Sequence, residues 1–363
     1  YHSKGEYHVY FCFPHFRAKK ITLQTLRLRK QQRQAFTMLT AYDYPSAVAN
    51  DQARILIVGT GAMACLFAAR LAGCGAQITM LGTWAEGLKA LQRHGVRLKA
   101  PGLVVGGESE KHFPVQATSD PQACRGARLC LVLVKAWQTR RAAEQLGECL
   151  AQDGVALSLQ NGAGNLETLE AVLGPQRAAL GVTTTGATLR GPGQVRQAGE
   201  GTIALSSHPR LPELANWLRA AGFIVEEVPD ARALLWGKLV INAAINPLTA
   251  LLRVPNGELL ERSSARELLQ AAAQEAAAVA AAQGLKLSFP DPVAAAETVA
   301  RRTAANHSSM LQDILRGAPT EIDAICGAIV RAGEQTGVPT PVNRTLWQLV
   351  KAASARNNQG NVL

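Results

Sequence analysis

The chain has 363 residues, 47% apolar and 18% charged, with 32 Gly and 17 Pro. This is the make-up of a globular protein of two or three domains, long enough to bury a full core without disulfide staples. Its seven Cys (12, 65, 74, 124, 130, 149 and 326) are odd in number, scattered and free of any C-x-x-C pair, which excludes a zinc ribbon or disulfide framework, points to a reducing compartment and leaves no metal site to expect. No uncharged apolar run approaches the roughly 18 residues of a membrane helix, so no membrane partner is expected.

The formal net charge of +11 is unevenly placed. Residues 1–50 hold Lys4, Arg17, Lys19, Lys20, Arg27, Arg29, Lys30 and Arg33 against Glu6 and Asp43, which is +6 of the total, and all five Tyr fall within the first 44 positions. The composition changes near residue 50, and a boundary is expected there. Tyr1–Phe16 shows no helical or strand period and lacks the apolar centre and small-residue cleavage site of a secretory signal. Residues 21–46 (ITLQTLRLRKQQRQAFTMLTAYDYPS) read as an amphipathic helix and a short strand at Thr37–Thr40. Their T-x-x-T-L-x-x-x-K and T-A-Y-D-Y-P patterns resemble the extreme N-terminus of ketopantoate hydroxymethyltransferase. The metal-binding acidic residues that follow in that enzyme are absent, and one helix with one strand cannot close a barrel, so that activity is not expected. Residues 1–50 are read as a basic, aromatic-rich extension, a remnant or fused frame. A nucleic-acid-binding arm is the alternative, disfavoured by the lack of any recognition motif.

After the boundary, Arg54–Val58 (RILIV) is a short apolar, β-branched run, followed at once by Gly59-Thr60-Gly61-Ala62-Met63-Ala64 and a helical pattern up to Gly73 and Gly75. Strand, glycine-rich turn and helix in that order form the dinucleotide fingerprint, with Ala in its third glycine position. Gly59 permits the tight turn, Gly61 admits a pyrophosphate to the backbone, and the helix starting at Ala62 offers it unpaired N–H groups. The second strand, Gln77–Leu81, ends in Gly82, Thr83 and Trp84, with Glu86 too late to hold a ribose diol. With no acidic residue in place to repel a 2′-phosphate, NADP is favoured over NAD. Apolar strands at Leu129–Val134 and Val155–Leu159 fit a parallel sheet buried on both faces, and Thr139–Leu150 reads as the helix between them. Lys135 and Gln160-Asn161-Gly162 stand at the carboxyl ends of these strands, where ligands of open α/β sheets bind. Short strands at Gln194–Gln197, Thr202–Ser206 and Val225–Val228, around a helix at Pro212–Ala220, complete this first domain (51–229).

Residues 230–355 read as an all-helical domain with a tail at 356–363. Ala233–Leu252 is apolar yet carries Lys238, Asn242 and Asn246 at i, i+4, i+8, which places them on one helix face; Pro247 is expected to kink or end the helix at Asn246. Polar groups on an apolar helix are costly unless satisfied, so this face fits a carbonyl- and hydroxyl-bearing substrate. A second cluster, Asn306-His307-Ser308-Ser309, is expected on a helix running to Leu315, with Asn306 and Ser309 sharing a face and His307 turned away. Beyond Gly317 and Pro319, Thr320 is expected to N-cap the next helix, with Glu321 in its first turn.

The ordered set G-T-G-A-M-A (59–64), K-A-W-Q (135–138), Q-N-G (160–162), L-W-x-K-L-x-x-N-x-x-I-N-P-L-T-A (235–250), N-G-E-L (256–259) and S-S-M-L-Q-D-I…T-E-I-D (308–323) resembles the ketopantoate reductase (2-dehydropantoate 2-reductase) family over residues 54–352. The resemblance implies a Rossmann-type domain joined to an all-helical domain like that of 6-phosphogluconate dehydrogenase, and an NADPH-dependent reduction of 2-dehydropantoate to pantoate by a cytoplasmic enzyme of pantothenate and coenzyme A synthesis. It implies Lys238 as the catalytic lysine and proton donor, and Glu321 as the catalytic carboxylate that holds its ammonium and also contacts cofactor. Asn161, Asn242, Asn246, Asn306 and Ser309 are implied to bind substrate. Gly59, Thr60, Gly61, Ala62, Met63, Ala64, Thr83, Lys135 and Asn161 are implied to bind cofactor. The family often has an Arg after the second strand to hold the 2′-phosphate, and Gly82 stands there instead, leaving Thr83 and Lys135 to compensate and NAD not excluded. The oligomeric state is open, a homodimer being one option.

Overall fold

The computed structural model describes residues 53–101 and 108–357. The helix and strand expected within residues 21–46 lie outside the described residues. The described elements belong to a unit spanning Arg54–Leu363.

In its first half, β1 (Arg54–Val58), α1 (Ala62–Gly73), β2 (Gln77–Leu81), α2 (Ala85–His94), β3 (Val96–Pro101), β4 (Glu108–Phe113), β5 (Gln116–Thr118) and β6 (Ala127–Val132) lead through a short 3₁₀ turn at Ala136–Gln138 to α3 (Thr139–Cys149). Then come β7 (Leu150–Ser158), α4 (Asn165–Leu173), β8 (Ala178–Thr183), β9 (Gly186–Gly191), β10 (Gln194–Gly199), β11 (Thr202–Ser206), α5 (Pro212–Ala220) and β12 (Ile224–Val228). An eight-stranded sheet runs β12-β11-β8-β7-β6-β1-β2-β5. β1 lies between parallel partners β2 and β6, and Ile55, Leu56, Ile57 and Val58 are all at most 2% exposed. A strand covered on both faces tolerates no alternation, which is why RILIV reads as a continuous apolar run. β11 runs antiparallel to β8 and parallel to β12, so the start of β11 returns to the carboxyl end of β8.

β10, read from the sequence as a short strand completing the first domain, belongs to a second sheet of order β4-β3-β10-β9. β3 (VRLKAP) carries charges at alternate positions and β4 (ESEKHF) at Glu108, Glu110 and Lys111, in place of an apolar run, so their pattern is faint. Against this sheet the C-terminal end of α1 is close enough that a Cβ on Gly73 would lie 2.9 Å from a ring carbon of Phe113.

The second half is helical: α6 (Arg232–Leu252), α7 (Glu258–Glu261), α8 (Ser263–Ala282), α9 (Pro292–Arg302), α10 (Ser309–Leu315), α11 (Cys326–Thr336) and α12 (Pro341–Asn357). α6 is its axis and packs against α8, α9, α10 and α12. Ala272, Ala273, Ala276 and Ala280 of α8 are fully buried, and these small side chains let the two long helices approach closely. Among the described residues α6 alone is long and apolar enough to cross a membrane, but 67% of it is buried inside the fold, and it serves as the core helix of this half. It runs through Pro247 to Leu252, so of the kink or end expected at Pro247 the end does not occur. Packing on all sides holds the second half in place: Ile245, Leu248, Thr249 and Ala250 are each at most 4% exposed, and this burial outweighs the lost N–H.

Candidate active site

The glycine turn after β1 has the geometry that a dinucleotide needs. Gly59 sits at φ +128°, and a Cβ there would lie 2.9 Å from the Leu133 carbonyl oxygen at the end of β6, so no side chain fits. Gly61 is exposed at the start of α1 with open space where a Cβ would point, leaving the first amides of α1 free to face a phosphate. Ala62 and Met63 are half-buried beside it. Thr60 and Ala64 are turned inward instead, at 7% and 0% exposure. Ala64 packs α1 onto the sheet, so its small size serves helix–strand contact rather than a ligand.

Gly82 is buried, and a Cβ on it would lie 2.7 Å from Cγ2 of Thr60. A side chain directly after β2 is therefore blocked by the glycine turn itself, and the first position with room is the exposed Thr83. No acidic group lies between Gly82 and Ala85.

Lys135 caps the 3₁₀ turn that follows β6. Its Nζ lies 2.6 Å from Asp313 Oδ2 on α10 and 3.5 Å from Glu321 Oε2. Burial alone would depress this amine, but the Glu321 and Asp313 carboxylates outweigh it and raise its pKa above the ordinary lysine value. Glu321 is 6% exposed and accepts from three groups of the sheet half: the Ala136 backbone N–H at 3.0 Å, the Asn161 side-chain amide at 3.4 Å and the Lys135 ammonium. Two corrections follow. Glu321 lies in a turn before α11, which begins only at Cys326 with Ile325 as its N-cap, so neither Thr320 nor Glu321 opens that helix. Glu321 also holds Lys135 rather than Lys238. Its backbone oxygen accepts from Ala324 and Ile325, and these turn bonds fix the carboxylate without a helix.

A buried polar network sets the Gln160-Asn161-Gly162 loop. Gln160 Nε2 donates to Val134 O at 3.0 Å and to Thr139 Oγ1 at 2.8 Å; Asn165 Nδ2 donates to Asn161 O at 2.9 Å and Gly162 O at 3.1 Å. At Gly162, φ +82°, a Cβ would lie 2.6 Å from Cβ of Ala324, and Ala163 N donates to Ala324 O at 2.9 Å. The loop thus meets the Glu321 turn backbone to backbone.

On α6, Lys238 and Asn242 are half-buried and Asn246 is 7% exposed. Lys238 Nζ donates to the Thr183 carbonyl at the end of β8, 2.7 Å away, and among the described residues it has no ion-pair partner within 4 Å. Burial lowers its pKa to about 8, with Glu321 opposing the shift from a distance. No described side chain or backbone group bonds the Asn242 or Asn246 carboxamides, which leaves both amides of this face available to a ligand.

Asn306 and Ser309 do not share a helix face. Asn306 is exposed in a turn, and α10 starts at Ser309 with Ser308 as its N-cap, accepting from Leu311 N at 3.1 Å. With Ser308 as its cap, the helix begins after Asn306 and His307, both expected on it from the sequence. Thr249 Oγ1 of α6 lies 2.7 Å from Ser308 Oγ, which ties this turn to the helix bearing Asn246. Sequence reasoning did not single out Asp313. The signal was available: in S-M-L-Q-D-I an acid stands three residues after Met310 and beside Ile314, on the apolar face.

Two family models match the chain, one described as ketopantoate reductase PanE/ApbA over residues 55–210 and one as ketopantoate reductase PanE/ApbA C terminal over residues 230–354. A 2-dehydropantoate 2-reductase of Archaeoglobus fulgidus is 39% identical over 83% of this chain and 98% of its own length. Among solved structures, a PanE/ApbA family ketopantoate reductase from Ralstonia eutropha JMP134 is 34% identical with a TM-score of 0.77, covering 84% of this chain and 99% of that one. D-mandelate dehydrogenase, solved with NADH and anilino(oxo)acetate, is 29% identical with a TM-score of 0.77 over 84% and 99% of the two chains. From the glycine turn to the last long helix, this chain belongs to the ketopantoate reductase family and is an oxidoreductase.

Proposed function

We propose that the protein reduces 2-dehydropantoate to pantoate with NADPH, as a step of pantothenate and coenzyme A synthesis, residues 51–229 holding the nucleotide and 230–355 the substrate. The observation that carries this reading is Lys238, a lysine with a pKa of about 8 whose one hydrogen-bond anchor among the described residues is a neutral carbonyl, followed on the same face by two amides that no described group engages.

The nicotinamide cofactor, when bound, supplies a hydride to the C2 carbonyl carbon. The turn Gly59–Met63 would receive the pyrophosphate, with Thr83 beside the adenosine ribose. Lys238 would supply a carbonyl oxygen gaining negative charge with both a positive neighbour and a proton, and a donor with a pKa close to working pH gives up its proton most effectively. Asn242 and Asn246, with Asn306 and Ser309 at the neighbouring turn, would orient the hydroxyl and carboxylate ends of the substrate. Asn161, Lys135 and Glu321 are joined to one another across the two halves and would fix the nicotinamide end of the crevice, so that the reacting atoms meet near contact. The absence of an acid after β2 supports NADPH, since nothing there repels a 2′-phosphate.

Similarity to D-mandelate dehydrogenase favours a second reading, a reductase of aryl 2-oxo acids using NADH on the same plan. Steady-state rates with 2-dehydropantoate and with an aryl 2-oxo acid, each against NADPH and NADH, separate the two. A higher kcat/KM for the aryl acid rejects the first reading.

A further inference from the structure

Resting on the reading of Lys238 as proton donor, we propose that Thr184 and Gly201 are positioning residues for this reaction. They lock the Thr183 carbonyl in the direction that holds the Lys238 ammonium against the substrate.

Six of the eight strands, β5, β2, β1, β6, β7 and β8, run parallel, but β11, with β12 parallel beside it, is antiparallel to β8, with Ile203 opposite Thr183. This brings the residues just before β11 to the carboxyl end of β8, the end at which Lys238 Nζ reaches Thr183 O. Three hydrogen bonds close the junction: Thr184 N donates to Thr202 O at 3.0 Å, Thr202 N donates to Thr184 Oγ1 at 2.9 Å, and Thr185 N donates to Thr183 Oγ1 at 3.1 Å. Gly201 presses on the same turn. A Cβ on it would lie 2.4 Å from both the Thr184 carbonyl carbon and the Thr185 nitrogen. Packing here is tight enough that the Thr185 hydroxyl is buried without a partner among the described residues. Thr183 itself is buried, at 3% exposure.

A carbonyl anchor has a chemical consequence that a carboxylate anchor would not. It accepts one N–H and fixes the direction of the amine, yet adds no counter-charge, so the ammonium keeps an easily released proton and two free N–H groups for substrate. Loosening the carbonyl removes a hydrogen bond that favours the charged form, which lowers the amine's proton affinity further. Thr184 is exposed, so its hydroxyl can be deleted with little risk to the fold, whereas Gly201→Ala tests the same junction by forcing backbone apart.

The experiment compares Thr184→Val, Thr184→Ser, Gly201→Ala and Lys238→Ala in the full chain, by kcat and KM with 2-dehydropantoate, the pH profile of kcat/KM, and NADPH dissociation constants from fluorescence. Thr184→Val is expected to lower kcat roughly tenfold, the scale on which sub-ångström misplacement acts, and to move the alkaline limb of the profile to lower pH. NADPH binding is expected to stay within about twofold, and Thr184→Ser to restore both kcat and the limb. Gly201→Ala, if folded by circular dichroism, is expected to lose more than Thr184→Val. An unchanged kcat and an unmoved limb in Thr184→Val, beside an inactive Lys238→Ala, would overturn the inference while leaving the lysine's role intact. Full activity in Lys238→Ala would reject the proton-donor reading and the inference with it.

Discussion

The Lys135 ammonium lies 2.6 Å from the Asp313 carboxylate, a contact that joins residues 178 positions apart and ties the turn after β6 to α10 of the helical half. Glu321 completes the group from the other side, so one cation and two carboxylates bridge the crevice. Asp313→Asn keeps the shape and removes the charge. Burial raises the Asp313 carboxyl above its ordinary value despite Lys135, and the lysine side chain is 37% exposed, so breaking the pair should cost about 1 kcal/mol, less than the 3–5 kcal/mol of a fully buried pair. Chemical denaturation at pH 7 checks this, and an unchanged midpoint would show that the bridge contributes nothing net.

Lys238→Met separates chemistry from stability. With the proton donor gone, kcat should fall on the order of 10²–10⁴-fold while NADPH binding persists. The folded chain holds Lys238 at about 8 against 10.5 for an ordinary lysine, so between those values the unfolded state binds more protons and stability gains as pH rises. Below about pH 8 the buried ammonium is a liability, and Lys238→Met should be more stable than the parent by on the order of 1–3 kcal/mol at pH 7. Equal thermal midpoints at pH 7 would contradict the depressed titration.

The same titration predicts the pH dependence of the reaction. The kcat/KM of the parent should decline as pH passes about 8, because the donor is then neutral, and that limb should be missing from the residual activity of Lys238→Met. A rate independent of pH between 7 and 10 would remove Lys238 from the proton path.

Much of this was legible in the sequence, and the reasons differ by element. β1, the glycine turn and α1 are contiguous, so local pattern suffices to place Gly59 and Gly61. Lys238, Asn242 and Asn246 share a face through helical period alone, and burial simply carried that helix past Pro247. The Glu321 turn was misplaced because Thr320-Glu321 imitates a cap signal where the chain is instead held by the backbone bonds of residues 321–325, and the α10 start because the cap is Ser308, inside the cluster read as helical. Asp313 was missed because its partner is remote in sequence, and no local rule joins it to Lys135.

Gly59→Ala probes the glycine turn. At φ +128°, with a Cβ 2.9 Å from Leu133 O, the substitution meets both backbone strain and a collision, at a cost of about 1–3 kcal/mol. It should also weaken NADPH binding by an order of magnitude or more, because the turn must open where the pyrophosphate lies. Retained affinity in a calorimetric titration would place the nucleotide elsewhere.

In the helical half, Arg266 clamps Glu297 with two bonds of 2.7 Å, and Gln270 adds a third at 2.9 Å. The bonds from Arg266 and then Gln270 hold the carboxyl at about 2, below its ordinary 4.5. This contribution is complete above pH 4.5 and is lost as pH falls toward 2. Glu297→Gln should therefore destabilise the protein at pH 7 by about 1 kcal/mol, with the difference from the parent vanishing under acid. A constant difference down to pH 2 would contradict the clamp.

The central claim is tested most directly by following reduced-nicotinamide absorbance with 2-dehydropantoate, NADPH and NADH side by side. Rapid oxidation of NADPH, outpacing NADH, is the predicted result, with Thr83 rather than position 82 beside the 2′-phosphate. A folded protein that binds NADPH but leaves it unoxidised in the presence of 2-dehydropantoate would contradict the account.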